Sequence, residues 1–359
     1  MQVKLKNSKF IIGLVCLLIV ALALPYSSVS AQAEGSDNTL ASVQSTIKMC
    51  YTVAKEAEAT GANITSLQEI LNAAGSLLSK AELSNAQNDF ASANDYAEQA
   101  QNLLTDFVPK ANSLRDSASY QQQSRFMSNI IGLIVGASVI IGASITLWIY
   151  LSRQDPAKRA SFERFKALFF VVPLILMLLV ASPIMQRFLV YPQNDRFTEF
   201  WLLGTDQKAE NYPYDIAKNT DYRIFLGLSN HLGSISYYRV QVKLFNQSLD
   251  DGPDTFKRTH SNLPTLYNFN VFVAADQNVH LPIIFSFDYD LLDPELNFNS
   301  LTLCDDDVDI GDYISLPDSI SWDYYACLVF ELWLYNGSTG NFQYHERYLS
   351  LRLNMTSPI

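Results

Sequence analysis

Two uncharged stretches, Phe126–Leu151 and Ala167–Met185, constrain this chain more than anything else in it. As helices they would rise roughly 33 Å (over the last part of the first) and roughly 28 Å, each enough to cross a bilayer. Between them lie Arg153, Lys158, Arg159, Arg164 and Lys166, against Asp155 and Glu163 alone. Loops rich in Lys and Arg stay on the cytoplasmic side. The pattern predicts a two-helix transmembrane hairpin over 125–188, with 152–166 as its short cytoplasmic loop. Neither stretch holds an ionisable residue, which argues against a transport pathway through this chain alone. Gly132 and Gly136 form a small-xxx-small pair that suits close helix packing, either with the second stretch or with a second copy. Pro173 and Pro183 are expected to kink the second helix.

Residues 1–33 read as a signal peptide. Lys4, Lys6 and Lys9 precede the apolar run Phe10–Leu24, Pro25 ends it, and small residues around Ala31 and Ala33 offer a cleavage point. An uncleaved anchor is the alternative. In both cases the following segment is exported, so both cues put the two large parts outside the cell.

Residues 34–124 are expected to be helical. Leu40, Val43, Ile47, Tyr51 and Ala54 make one stripe; Leu67, Ile70, Leu71, Ala74, Leu77, Leu78 and Ala81 make a second. Thr65 followed by Gln68 reads as a capping box, with Ile64 just before the cap. A turn near Ala86–Asp89 precedes a third stripe ending at Phe107, and Pro109 is expected to kink that helix. The third segment resembles one tetratricopeptide-type unit. A solenoid needs about three repeats, so the expectation is an all-α bundle or stalk.

Residues 189–359 change character. Eight strands are expected, at Phe197–Leu203, Tyr222–Leu228, Tyr237–Phe245, Tyr267–Ala274, Leu281–Asp288, Leu301–Cys304, Ala326–Tyr335 and Phe342–Leu353. Alternation is clean from Tyr238 to Leu244, and turn residues such as Asp250–Pro253 and Asn336-Gly337 lie between strands. Short strands without helical period argue an all-β antiparallel sandwich. The whole is a multi-domain membrane protein: exported helical bundle, membrane hairpin, exported sandwich.

Charge narrows the partners. The chain carries a net −11. Such a surface repels phosphate backbones, so nucleic acid is not an expected partner. Asp288, Asp290, Asp293, Asp305, Asp306, Asp307, Asp309 and Asp312 cluster in sequence, and Asp305, Asp307 and Asp309 are a candidate Ca²⁺ site. The spacing is not an EF-hand, because Gly311 and Leu316 stand where that loop needs other residues. A solvated acidic loop is the alternative, and no other cofactor is signalled. His231, His260, His280 and His345 lack metal-ligand spacing. No Gly-x-Ser-x-Gly elbow, Walker loop or dinucleotide turn appears. Of four cysteines, Cys16 lies in the leader and Cys50 stands alone. Cys304 and Cys327 form either one disulfide or two free thiols. Asn63, Asn246, Asn336 and Asn354 begin glycosylation sequons. Trp201, Tyr212 and Tyr214 are a candidate ligand or polysaccharide surface, with core filling as the alternative.

The segments Phe197–Gly204, Lys208–Pro213, Gly227–His231, Tyr238–Val242, Phe330–Tyr335 and Arg347–Leu351 resemble a prokaryotic, largely archaeal membrane family known as domain of unknown function 1616. That family typically carries more membrane helices before this region, and the helical part here is additional. The resemblance transfers no catalytic residue.

The reading is a membrane-anchored, non-catalytic envelope protein that binds a protein or glycan. Alternatives are an accessory subunit of a transport or secretion complex, joined through the first span, and an exported metal-dependent hydrolase using the carboxylates from Asp288 to Asp312.

Overall fold

The structure, a computed structural model, describes residues 37–153, 171, 173–175, 178, 196–245, 253, 258–292, 295–311, 313–315 and 324–355. The expected leader, Cys16, Asn246, Asp293, Asp312, Pro183 and most of the basic loop and second apolar stretch lie outside these residues. Within that stretch Val171, Pro173, Leu174, Ile175 and Leu178 are helical.

Four helices come first: α1 (37–59), α2 (Thr65–Ala86), α3 (Phe90–Leu104) and α4 (Phe107–Ser152). Alanines line their contacts, with Ala54, Ala74, Ala81 and Ala100 fully buried beside Ile47, Leu67 and Leu78. Two local expectations need correction. Thr65 is the first helical residue rather than the cap; Asn63 Oδ1 accepts its N–H at 3.0 Å and its hydroxyl at 2.7 Å. Pro109 sits in the first turn of α4, where its missing N–H has no intrahelical partner to lose, so the chain breaks at Thr105–Asp106 instead. Asp89 caps α3 by accepting the Ser92 N–H at 3.1 Å.

At 46 residues α4 is about 69 Å long. It is long and apolar enough to cross a membrane. Its later side chains are exposed on every side, Ile131 at 58% and Val139 at 65%.

The strands are β1 (Thr198–Leu203), β2 (Asp215–Ile216), β3 (Tyr222–Asn230), β4 (Ser236–Phe245), β5 (Tyr267–Val273) and β6 (Gln277–Leu292). They continue as β7 (Glu295–Leu303), β8 (Asp306–Val308), β9 (Ile314–Ser315), β10 (Tyr324–Asn336) and β11 (Asn341–Met355). One sheet runs β1-β3-β6-β7-β8, with β9 on β7; the other runs β2-β11-β10-β4-β5. Pairing is antiparallel except β2 with β11. The eight expected strands are present; β2, β8 and β9 were missed because two or three residues carry no readable alternation. Both sheets feed one hydrophobic core, including Leu226, Ile283, Phe285, Val240, Phe330 and Leu353.

The structure joins what the sequence reading separates. Among the described residues, 37–59, Asn63–Ser113 and those from Arg196 onward form one compact unit; Thr60–Ala62 and those between Leu114 and Asp195 form another. The helical part is therefore not a free-standing bundle. Strand β5 is an edge of its sheet, and α2 covers it. Asn72 takes both backbone groups of Phe272, accepting from N at 2.7 Å and donating to O at 3.1 Å; Gln68 also donates to that carbonyl at 3.1 Å. Two turns on, Ser79 Oγ accepts from Asn270 N at 3.3 Å, and a further turn along Glu82 accepts from Asn268 at 3.1 Å. Between them Gly75 permits the approach: a Cβ there would lie 2.7 Å from the Asn270 carbonyl. A bare edge invites foreign strands, and a covering helix removes that hazard.

Candidate functional site

The acidic residues are held apart. Cys304 and Asp305, with φ of 52° and 69°, are the two loop residues between β7 and β8, since Leu303 pairs with Asp306. Positive φ at both centres is the primed turn that two-residue hairpins favour. On β8 successive side chains leave on opposite faces. Asp306 meets Lys80 of α2 at 3.2 Å and accepts from Tyr267 at 3.3 Å. Asp307 accepts from Thr302 at 2.9 Å, and Asp309 takes the Gly311 N–H at 2.8 Å. So Asp305, Asp307 and Asp309 do not converge, and among the described residues no three His, Cys, Asp or Glu side chains share a metal-sized space. Asp288 and Asp290 do come together, but around a cation. Lys218 lies 3.0 and 2.7 Å from them, and Asn299, extra at a bulge in β7, donates to both at 3.1 and 3.0 Å. The lysine bonds hold both carboxyls below their usual range.

Cys50, Cys304 and Cys327 are free thiols; the disulfide alternative for Cys304 and Cys327 is not formed. Burial raises the Cys50 thiol to about 11, so it is a core thiol rather than a nucleophile.

Each histidine has a partner. His231 Nε2 is 2.9 Å from Ser229 Oγ, and its Nδ1 is 3.2 Å from Asp276. The atom order is that of a Ser–His–Asp relay. Yet Ser229 is 5% exposed within β3, and Phe197 stacks on the imidazole at 4.6 Å. The trio, with the His231 N–H donating to the Phe197 carbonyl at 3.0 Å, ties the end of β3 to the entry of β1. His280 stands edge-on to Trp201, and His260 packs against Trp333 and Tyr344. His345 Nε2 is 2.9 Å from Thr198 Oγ1, which is 3.0 Å from the Tyr238 hydroxyl, which in turn donates to Asn230 at 3.3 Å. Burial lowers the His345 pKa.

Trp201 pairs across β1–β3 with Gly227 and lies flat on it; any Cβ at Gly227 would collide with the indole. This tryptophan fills a sheet face. Tyr212 donates to the Leu202 carbonyl at 2.9 Å, and Tyr212 and Tyr214 stay exposed at 38% and 48%. Of the sequons, Asn63 Oδ1 accepts the Thr65 N–H from just before the α2 cap, Asn336 Nδ2 donates to Gln343 at 3.1 Å, and Asn354 Nδ2 donates to Asp215 at 2.9 Å. Nothing among the described residues lies within 4 Å of a Cβ built at Gly132; Gly136 follows one turn later on the same helix.

Two features were missed in the sequence. One is a buried ion pair: Lys243 and Glu331, 3% and 0% exposed, meet at 2.8 Å, and Ser261 bonds both. A lone glutamate inside the apolar run of β10 was its signal. The other is a pocket of about 550 Å³ between α1 and the β10–β11 hairpin. Tyr51, Thr52, Lys55, Tyr335, Gln343 and Tyr344 are among its lining residues. Lys48, Tyr51, Thr52 and Lys55 recur at helical spacing, a face that reads as an ordinary stripe until the hairpin lies against it. Burial and nearby Tyr238 and Tyr335 raise the Tyr51 hydroxyl to about 12.

With this geometry in hand, comparison defines a class for one segment: residues 192–297 match the family described as domain of unknown function DUF1616. The match runs from β1 to the first residues of β7 and stops short of β8 to β11. No curated protein matches the sequence. Among solved structures, the CARDB domain of a Pyrococcus furiosus protein in complex with di-metal ions aligns at 7% identity and TM-score 0.22, over 47% of this chain and 95% of that one. A Listeria innocua β-glucosidase with gluconolactone aligns at 6% and 0.21, over 46% and 17%. A Pseudomonas fluorescens alkylpurine DNA glycosylase, AlkC, aligns at 13% and 0.22, over 89% and 97%. At these scores none carries an argument about fold or function.

Proposed function

We propose that this is a membrane-anchored envelope protein whose helices and two sheets, packed as a β-sandwich with a helical flank, face outward and bind a protein or glycan without catalysing a reaction. One observation carries the reading: α2 seals β5, although the apolar part of α4 separates them in sequence. Groups in direct hydrogen-bond contact lie on the same side of a membrane. An even number of crossings must then separate Ser113 from Arg196. If α4 crosses once, Ala167–Met185 crosses back, and the basic loop between them falls on the cytoplasmic side. The separate pairing of the acidic residues removes the main support for a hydrolase. Gly132 and Gly136 remain a candidate contact for a subunit of a larger complex.

The test is topological. A membrane-impermeant maleimide applied to intact cells should label cysteines introduced at exposed Ala73 and Tyr214, and a cysteine at Lys158 only after lysis. Labelling of Lys158→Cys from outside would invert the reading.

A further inference from the structure

The pocket between α1 and the β10–β11 hairpin differs from the rest of the surface. The chain carries a net −11, yet among the described residues no carboxylate lines this cavity. Its charged lining residue is Lys55, exposed on α1. His345 also lines it, but burial lowers its pKa and Thr198 holds its Nε2, so it is a neutral wall. Lys48, two turns before Lys55 on the same face, reaches the Gly340 carbonyl at 3.1 Å and sits 5.4 Å over the Tyr335 ring. That contact pins the hairpin tip to α1.

The polar lip is already ordered. Asn336 donates to Gln343 at 3.1 Å and accepts the Ser338 N–H at 2.9 Å, so these amides need no rearrangement before binding. Preorganised polar groups lower the entropic cost of association. The volume lies within the range of small-ligand sites, roughly 300–1,000 Å³. Tyrosine faces beside amides and hydroxyls suit a molecule with an apolar face and a polar rim, as a sugar ring has. The cation adds a carboxylate to that description, through a charge-assisted hydrogen bond. A phosphate site would instead use arginine forks or a nest of backbone N–H groups. Among the described residues no arginine lines the pocket.

We infer that this pocket binds an acidic sugar unit of a glycan, with the ring against Tyr344 and the carboxylate on Lys55. The inference rests on the outward-facing, partner-binding reading above and gives it a location and a ligand class.

The test uses the full chain in detergent micelles, with tetragalacturonate, its neutral methyl ester and inorganic phosphate as probes in calorimetry. Tetragalacturonate should bind, and its methyl ester should bind at least tenfold more weakly. Lys55→Glu should weaken tetragalacturonate at least tenfold without moving the melting temperature, because Lys55 is exposed; Lys55→Arg should restore most of the affinity. No binding at millimolar tetragalacturonate, an unchanged affinity in Lys55→Glu, or phosphate binding as well as the sugar would each overturn the inference. Impermeant maleimide on intact cells carrying Lys55→Cys separates the two readings. Labelling together with absent sugar binding sinks the pocket assignment alone. Labelling only after lysis sinks the outward orientation, and the glycan with it.

Discussion

Helix α2 and the later half of α4 are both helices with many small and apolar residues, and they solve opposite problems. α2 buries Leu67, Leu71, Ala74 and Leu78 on one side and spends Gln68, Asn72, Ser79 and Glu82 on an open strand edge. α4 beyond Asn129 is predominantly apolar all round and carries no charge up to Leu151. Its Ser138, Ser144 and Thr146 hydroxyls return to their own helix's carbonyls, at 2.7–2.8 Å. Where a helix meets backbone edges it needs polar side chains in register; where it meets lipid, every polar group must be satisfied from within.

The sharpest break of this contrast concerns charge. Glu331→Leu leaves the Lys243 ammonium buried and unpaired, and should cost about 3–5 kcal/mol in chemical denaturation. The double change Lys243→Met with Glu331→Leu should recover much of it. A single change costing under about 1 kcal/mol would mean that the pair is wet. Next comes a matched pair of arginines. Val139 and Ala73 are both exposed, so Ala73→Arg should be silent, whereas Val139→Arg at membrane depth should cost about 2.5–3.5 kcal/mol of insertion. Resistance to carbonate extraction reads the difference; equal behaviour would remove the case for α4 as a span.

Glycines give the next test. Gly75→Ala pushes a methyl against the Asn270 carbonyl and should destabilise by about 1–3 kcal/mol, with faster hydrogen exchange along β5. Gly132→Ala meets nothing among the described residues and should be neutral or gain up to about 1 kcal/mol of helix stability. A large loss at Gly132 would reveal a packing partner.

The smallest effects are in pH. His345 has a folded pKa below its usual 6.5. Its contribution to stability is therefore complete above 6.5 and lost as the pH falls toward the folded value, because the unfolded chain takes the proton first. His345→Gln should flatten the melting temperature below pH 6.5. Asp288 and Asp290 act in the same direction lower down. Depressed by Lys218, they contribute above their usual 3.8 and fail as the pH drops through their folded values. Lys218→Met should remove that last step in an acid titration.

Strand positions and helix stripes were legible because their periods are local. The longer strands followed from short apolar and aromatic runs between turn residues, with clean alternation from Tyr238 to Leu244, and the three helical stripes from 3.6-residue spacing. The docking of α2 on β5 was not legible, because Gln68, Asn72, Ser79 and Glu82 look like a solvated face until a partner strand is known. The same holds for the acidic run. As sequence it suggests one cation site, but the Cys304–Asp305 turn and the pleat of β8 send its carboxylates in different directions. The Tyr51–Lys55 pocket has one wall on α1 and the other on a hairpin some three hundred residues away, a distance no periodicity can bridge.

The order of manufacture follows from the α2–β5 contact. The ribosome releases α2 early and β5 only after both apolar stretches have been translated. Until then Asn72 lacks its strand partner, and Gly75 leaves a bare notch. That contact thus closes late, as a zip drawn after both apolar stretches are already made. A transcript truncated anywhere before Tyr267 yields helices with an unfinished seam, ready prey for surveillance proteases.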